Sequence, residues 1–537
     1  MKFLYFLLFS LLSLCNIFSQ EQPKLVVAVV IDQMKAEYLD RFYNDFEDNG
    51  FKKLLKNGYH YKNTHYNYLP TYTAPGHASI YTGTTPIQHG IIGNDWYIKN
   101  LKKERYCTED NEVQLLGNGD DNEGKMSPRA LLATTITDEL KLNTNFKSKV
   151  IGISLKDRGA ILPAGHFADW AFWYSKTGSF ISSNYYAENL PQWVTDFNTE
   201  KNYEKYITKP WTLLKPKEIY NESLTDNNPY EGKLYKKAPF FPYDLQQMYE
   251  NNDAGILRTT PFGNNLLLDF ALRAIEKENL GKDNITDFIS ISFSSTDYIG
   301  HVLGPRSIEI QDTYLRLDNT IAQLLSYLDK NIGHDKYLLF LTADHAGAEN
   351  VTYLKENKYV VNNILSKNIE QDLKDISNKI FNENIIEYYS NFNIFLDENI
   401  INKKNITSVQ IENFIKECCK LNYISAIYTK QQIITSNHNN DILNKISNGY
   451  SLKESGDLVL VFNPGYVEYS GLGTTHGSPY NYDTHVPLIF YGNNIKHGQS
   501  FTNKDITQIA ATLSFILKTP MPNCANPNVL EEILDKK

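Results

Sequence analysis

Three carboxylates and three imidazoles follow short, strongly apolar runs in the sequence: Asp32, Asp297 and Asp344, with His301, His345 and His476. Together they make a hard nitrogen and oxygen donor set of the kind zinc takes. Asp297 and His301 stand four residues apart, which brings both to one face if that turn is helical. Asp344 and His345 are adjacent, and a bend after a strand can aim such a pair at two neighbouring positions. Two metal ions a few Å apart are a standard device for clamping the attacking and leaving oxygens of a phosphoryl displacement. Taken singly, each Asp has a plainer role, because a helix cap or a turn also favours Asp. Their shared placement sets the group apart.

A candidate nucleophile lies in Pro70-Thr-Tyr-Thr-Ala-Pro-Gly-His77. A Thr hydroxyl attacks only when a base or a metal activates it. Thr73 precedes the turn signal Pro75-Gly76 and a helical pattern from Ala78 to Thr82. Its hydroxyl is therefore expected near a helix N-terminus, where phosphate is welcome. The plainer role for Thr73 is a helix cap, and only the metal-ligand set tips it toward chemistry. Lys156 and Arg158 add positive charge after another apolar run; the bland alternative for them is a surface ion pair with Asp157.

The elements that must position these groups are legible as apolar runs. Leu25–Ile31 has the look of a strand buried on both faces of a parallel sheet. Similar runs recur at 149–154, 287–293, 337–342, 458–462 and 486–491. Helical patterns lie between several of them, at Ala78–Thr82, Ser127–Leu142, Asn264–Asn279 and Gln311–Leu328. Alternating strands and helices predict an α/β fold, a three-layer α/β/α sandwich around a mainly parallel sheet. Ligands bind outside the carboxyl ends of such strands, and Asp32, Lys156, Asp297, Asp344 and His476 each follow one. Residues 180–255 and 347–455 break the rhythm and read as insertions within one domain spanning 20–537.

Composition narrows the function classes. The chain has 537 residues, 42% hydrophobic and 21% charged, as a folded globular protein does. Its formal net charge of −9 argues against nucleic acid as the main partner. Met1–Ser19 reads as a secretory signal: a basic start, an apolar stretch, then a small residue. A periplasmic or secreted protein is expected, soluble rather than lipid-anchored through Cys15, because the bulky Leu14 precedes that cysteine. No later stretch approaches the about 20 apolar residues of a membrane span. Cys107, Cys418, Cys419 and Cys524 contain no C-x-x-C pair, which disfavours a cysteine zinc site, and their pairing cannot be read from spacing.

The octapeptide ending at His77, His89-Gly-Ile-Ile-Gly-Asn94, Lys156-x-Arg158, Ser295-Thr-Asp297-Tyr-Ile-Gly-His301 and Thr342-Ala-Asp344-His345 together resemble the alkaline phosphatase superfamily. More narrowly, they are similar to the secreted threonine-nucleophile phosphatases of Bacteroidota-type bacteria. The resemblance runs from Asp32 to the region of His476. It implies Thr73 as nucleophile, with Asp32, Thr73, Asp344 and His345 holding one zinc and Asp297, His301 and His476 the other. Asn94, Lys156 and Arg158 would contact the phosphoryl oxygens. His485 is the alternative to His476 as last ligand. His77 and His89 would support the site by hydrogen bonding.

The function implied is that of an exported monomer, a two-zinc phosphomonoesterase working through a phosphothreonine on small phosphate monoesters. A phosphodiesterase or nucleotide pyrophosphatase of the same superfamily is the main alternative. Lys156 and Arg158 discriminate, because a monoester carries two negative charges and a diester one. A non-catalytic binding protein would show gaps in the ligand set, and here the set is complete.

Overall fold

The computed structural model describes residues 22–236, 238–435, 441–469 and 471–534. The signal at 1–19, with Cys15, lies outside the described residues. An eleven-stranded sheet forms the centre. Its main strands are β1 (Leu25–Ile31), β2 (Tyr59–His65), β3 (Val150–Ser154), β4 (Trp170–Tyr174), β5 (Phe180–Ser183), β6 (Asp287–Phe293), β7 (Tyr337–Thr342) and β8 (His485–Gly492). They lie side by side as β2-β8-β7-β1-β6-β3-β4-β5, with three short strands at the edges.

The five strands from β7 to β4 in that order are parallel, and β8 runs antiparallel to β7. Every residue of β1, β3, β6 and β7 is buried, which is why these segments lack polar alternation. Register aligns their ends: Ile31 pairs with Phe293, Val30 with Thr342, and Ser154 with Ser292. The residues just beyond therefore emerge along one edge.

Helices α1 (Thr73–Thr82), α2 (Asp157–Ala164), α3 (Pro261–Lys277), α4 (Ser295–Leu303) and α5 (Ile308–Asn331) accompany the sheet. Helix α1 is buried along its whole length. It begins at Thr73, earlier than the Ala78 start expected from sequence. Pro75 is tolerated in the first turn because N–H groups there have no intrahelical partner. The helix expected over 127–142 forms only at Ile136–Asn143, where Thr135 and Asp138 make a reciprocal capping box.

Within 192–250, short helices bury Trp193 and Met248, and an isolated antiparallel bridge buries Trp211 and Tyr243, all in the main apolar cluster. The segment after β7 builds a second apolar cluster around an antiparallel sheet of Ile386–Ser390, Asn393–Leu396, Ile424–Thr429 and Leu458–Phe462. Leu458–Phe462 thus belongs to this smaller sheet and not to the central one, a correction to the sequence expectation. A fully buried strand carries the same unbroken apolar signature in either setting. The four cysteines after Cys15 are free thiols. Among the described residues no helix is long and apolar enough to cross a membrane.

Gly76 in α1 marks the closest approach of helix to site: a Cβ there would lie 2.1 Å from the Asp344 backbone oxygen. Gly76→Ala is expected to cost at least about 1–3 kcal/mol by chemical denaturation, as overpacking does, and to lower activity by displacing Thr73 from Asp344. Unchanged stability would show that the two elements slide freely.

Candidate active site

Asp32, Lys156, Asp297, Asp344 and His345 sit just beyond strand ends or in the first turn that follows. Asp32 is the residue after β1, Lys156 lies two residues beyond β3, and Asp344-His345 follow β7. Asp297 is in the first turn of α4, and His301 one turn later. His476 arrives on the irregular loop before β8. Asp32, Asp344 and His345 have no exposed surface, and Asp297 and Thr73 almost none.

Two donor clusters emerge, sharing Asp297. Asp297, His301 and His476 offer atoms within 4.8 Å of one another, as do Asp32, Asp297 and His345. His301 Nε2 is 3.1 Å and His476 Nε2 3.8 Å from Asp297 Oδ1. His345 Nε2 lies 3.5 Å from Asp32 Oδ1 and 3.6 Å from Asp344 Oδ2. The Thr73 hydroxyl is 3.4 Å from the same Nε2. Tyr72, not Thr73, occupies the N-cap of α1 and makes no side-chain cap bond, so the Thr73 hydroxyl is turned to the cluster.

Three backbone carbonyls orient the imidazoles. His301 Nδ1 meets Thr474 O at 2.9 Å, His345 Nδ1 meets Ala346 O at 2.8 Å, and His476 Nδ1 meets Thr71 O at 2.7 Å. An imidazole that donates from Nδ1 presents an unprotonated Nε2, the form a metal requires. Burial first, then neighbouring positive groups, holds His476 well below the usual imidazole range. His345 is also lowered, chiefly by burial. The alternative ligand His485 lies elsewhere, stacked on His65 and bonded to the Lys62 carbonyl.

The charge arithmetic of the cluster is unbalanced. Lys156 Nζ lies 2.7 Å from Asp32 Oδ2 and 2.6 Å from Asp297 Oδ2, one ammonium among three carboxylates. The contact to Asp32 lacks hydrogen-bonding direction, and both Asp32 oxygens and Asp344 Oδ2 are buried with no hydrogen-bond partner. Taken as protein groups alone, burial and then the charges of Asp297 and Asp344 push Asp32 up to about 8. Burial likewise raises Asp344 to about 6. Asp297 stays well below the usual range, because His301 and Lys156 outweigh its burial. Buried carboxylates without donors, faced by Nε2 atoms, fit divalent cations.

Asn94 Oδ1 accepts the Ala74 N–H at 2.9 Å, which leaves its amide donors uncommitted by that bond beside Thr73. Lys156 is 4% exposed, and Asp157 accepts hydrogen bonds from Tyr106 and Thr108; the surface pair with Asp157 does not form. Arg158 Nη1 donates to Tyr106 Oη at 2.9 Å, while its Nε has no partner. His77 Nε2 sits 3.8 Å from Asp344 Oδ2 and 3.2 Å from Ser292 Oγ. His89 Nε2 meets Ser79 Oγ of α1, tying the segment that leads to Asn94 to that helix.

Sequence reasoning missed Gln33, Tyr106 and Tyr298. Tyr298 lays its ring 4.9 Å from Lys156 Nζ. Gln33 has a left-handed φ of 60°, a conformation worth of order 1–3 kcal/mol of strain for a side chain of this kind. Gly300 and Gly347, beside His301 and His345, were the available signal, since both make room for Gln33. Nothing in the spacing marks Tyr106.

The sequence matches the type I phosphodiesterase / nucleotide pyrophosphatase family over residues 26–486. It is 42% identical over 520 residues to alkaline phosphatase PafA of Elizabethkingia meningoseptica, covering 96% of this chain and 95% of that one. It is 43% identical over 524 residues to a Myroides odoratus protein named calcium-transporting ATPase, with 96% and 95% covered. The wild-type PafA crystal structure matches with a TM-score of 0.92, covering 96% of this chain and 99% of that one at 42% identity. A PafA variant with a Thr, an Asn, a Lys and an Arg replaced matches with a TM-score of 0.91.

The raised Asp32 carboxyl sets a pH signature. Between the ordinary value of 3.8 and about 8, the unfolded chain has released a proton that the folded one keeps. Stability of chelator-treated protein should therefore fall as pH rises through that window, by at most about 1.4 kcal/mol per unit for one proton. Denaturant titrations at about pH 7.5, 8 and 8.5, a unit or more above the ordinary His value of about 6.5, measure it. A rise in stability over this interval would contradict an Asp32 carboxyl raised by its burial beside Asp297 and Asp344.

Proposed function

The chain belongs to the type I phosphodiesterase / nucleotide pyrophosphatase family and is, within it, an alkaline phosphatase; we propose that it is exported and cleaves small phosphate monoesters with two zinc ions and Thr73 as covalent nucleophile. In this account Asp32, Thr73, Asp344 and His345 hold one zinc, and Asp297, His301 and His476 the other. The observation that carries it is the buried carboxylate cluster beside Thr73, in which both Asp32 oxygens and Asp344 Oδ2 lack hydrogen-bond donors and Lys156 is the one ammonium in contact. The four replaced positions of the PafA variant are spaced as Thr73, Asn94, Lys156 and Arg158 are here, which supports treating these four as one working unit. Zinc bound to these residues would supply Lewis acidity, lowering the pKa of the attacking and leaving oxygens.

The chain's own groups account for the rest. The Thr73 hydroxyl gives up its proton and Oγ bonds to phosphorus, while the ester oxygen departs with the electron pair of the broken P–O bond and takes up a proton from water. Water then attacks the phosphothreonine from the vacated side, releasing phosphate and restoring Thr73. Asn94, Lys156 and Arg158 hold the non-bridging oxygens, so charge developing there meets donors already oriented. Helix α1 adds its N-terminal dipole on the same side.

Lys156 and Arg158 favour the monoester over the diester alternative. A monoester offers three non-bridging oxygens and two charges to these cations; a diester offers two oxygens and one charge, with a second ester arm that gains nothing from them. Replacing both with Ala should cut kcat/KM for a monoester by orders of magnitude, each charge-assisted contact contributing roughly 1.5–3 kcal/mol. Loss on a diester with the same leaving group should be far smaller. Equal losses would mean the two cations serve folding or metal placement instead. Thr73→Ala should leave a folded protein with activity reduced by several orders of magnitude, and Thr73→Ser should retain much more, because the hydroxyl survives. Comparable rates for the two variants would remove Thr73 from the chemistry.

A further inference from the structure

Gln33 reaches carboxylates assigned to both metal sites, one through its backbone and the other through its side chain. Its backbone N–H donates to Asp344 Oδ1 at 3.2 Å, and its side-chain Nε2 donates to Asp297 Oδ1 at 2.6 Å. It follows Asp32 directly and is 6% exposed. Its left-handed φ lets the chain turn so that both donors point inward from one position.

The surroundings are shaped for that amide. A Cβ on Gly300 would stand 2.1 Å from Gln33 Oε1, and one on Gly347 would stand 3.1 Å from Gln33 Cγ. Gly300 immediately precedes His301, and Gly347 comes two residues after His345. Helix α4 and the loop after β7, which both carry candidate ligands, thus have glycine where Gln33 passes between them. A strained, non-glycine residue in such a seat points to a role that the neighbouring structure enforces.

The amide is also the chemically suited group. The cluster already carries more negative than positive charge, so a Glu at this position would add repulsion. A Lys would compete with a bound cation. A neutral N–H donor can orient Asp297 without changing the charge, while the backbone N–H holds Asp344 from the same residue.

We infer that Gln33 is a positioning residue that ties the two metal sites together, keeping Asp297 poised relative to the Asp32–Asp344–His345 side. The inference rests on the two-zinc account above. Removing the side-chain amide leaves the backbone bond to Asp344 in place, so the site built on Asp297, His301 and His476 should weaken selectively.

The test is a zinc titration of metal-depleted protein against a chromophoric chelator, with wild type, Gln33→Asn and Gln33→Ala. Asn tolerates the left-handed conformation and keeps an amide one methylene short of Asp297, so it guards against misfolding of the Ala variant. In both variants one zinc should bind about 10–100-fold more weakly, the range for loss of a group orienting a ligand. The other should stay within about threefold, and activity should recover at high zinc. Two unchanged affinities, or an equal weakening of both with a lowered melting temperature, would overturn the inference while leaving the two-zinc account standing. A wild type that binds no zinc would overturn both.

Discussion

Everything in this fold answers to one electrostatic constraint: three carboxylates are buried within reach of a single ammonium. Like charges in a poorly solvated interior repel strongly, and a lone buried carboxylate is costly unless it finds a proton, a donor or a cation. Asp32 and Asp344 receive too few donors to resolve that cost among protein groups. The parallel register that ends β1, β6 and β7 together is what forces the carboxylates into proximity. Carbonyl-bound imidazoles then face them through Nε2. Such a cluster is a poor core and a good cation receptacle.

The same constraint explains how the surrounding parts divide their work. Lys156 is pinned by Asp32 and Asp297 and backed by the Tyr298 ring, so its charge is held without a flexible side chain to order. Arg158 is steadied by Tyr106, which is itself tied to Asp157, leaving Nε uncommitted. His301 is the most open of the imidazoles, with about a third of its side chain exposed, and gives the cluster its access to solvent. The smaller antiparallel sheet packs Leu69 and Tyr72 into its apolar cluster, and so braces the segment that delivers Thr73.

Much of this was legible in sequence because the strands are buried on both faces. Leu25–Ile31, Asp287–Phe293 and Tyr337–Thr342 carry unbroken apolar runs, and a polar residue just beyond each stands out. The start of α1 was not legible, because Pro75-Gly76 spells a turn and also fits a helical first turn. Leu458–Phe462 was assigned to the wrong sheet because a buried strand looks alike in a parallel sheet and in a small packed one. Gln33 was hidden by its ordinary residue type; only the backbone turn and the two glycines opposite it make it unusual. The choice between His476 and His485 likewise needed three dimensions, since both lie near the last core strand.

The most direct measurement of the central claim is metal content paired with activity. Purified protein should contain about two zinc ions per chain, and chelation should abolish phosphomonoesterase activity that zinc, and not magnesium alone, restores. Full activity after exhaustive removal of divalent metal would contradict the account, because the buried carboxylates would then be working without the charge they are arranged to receive.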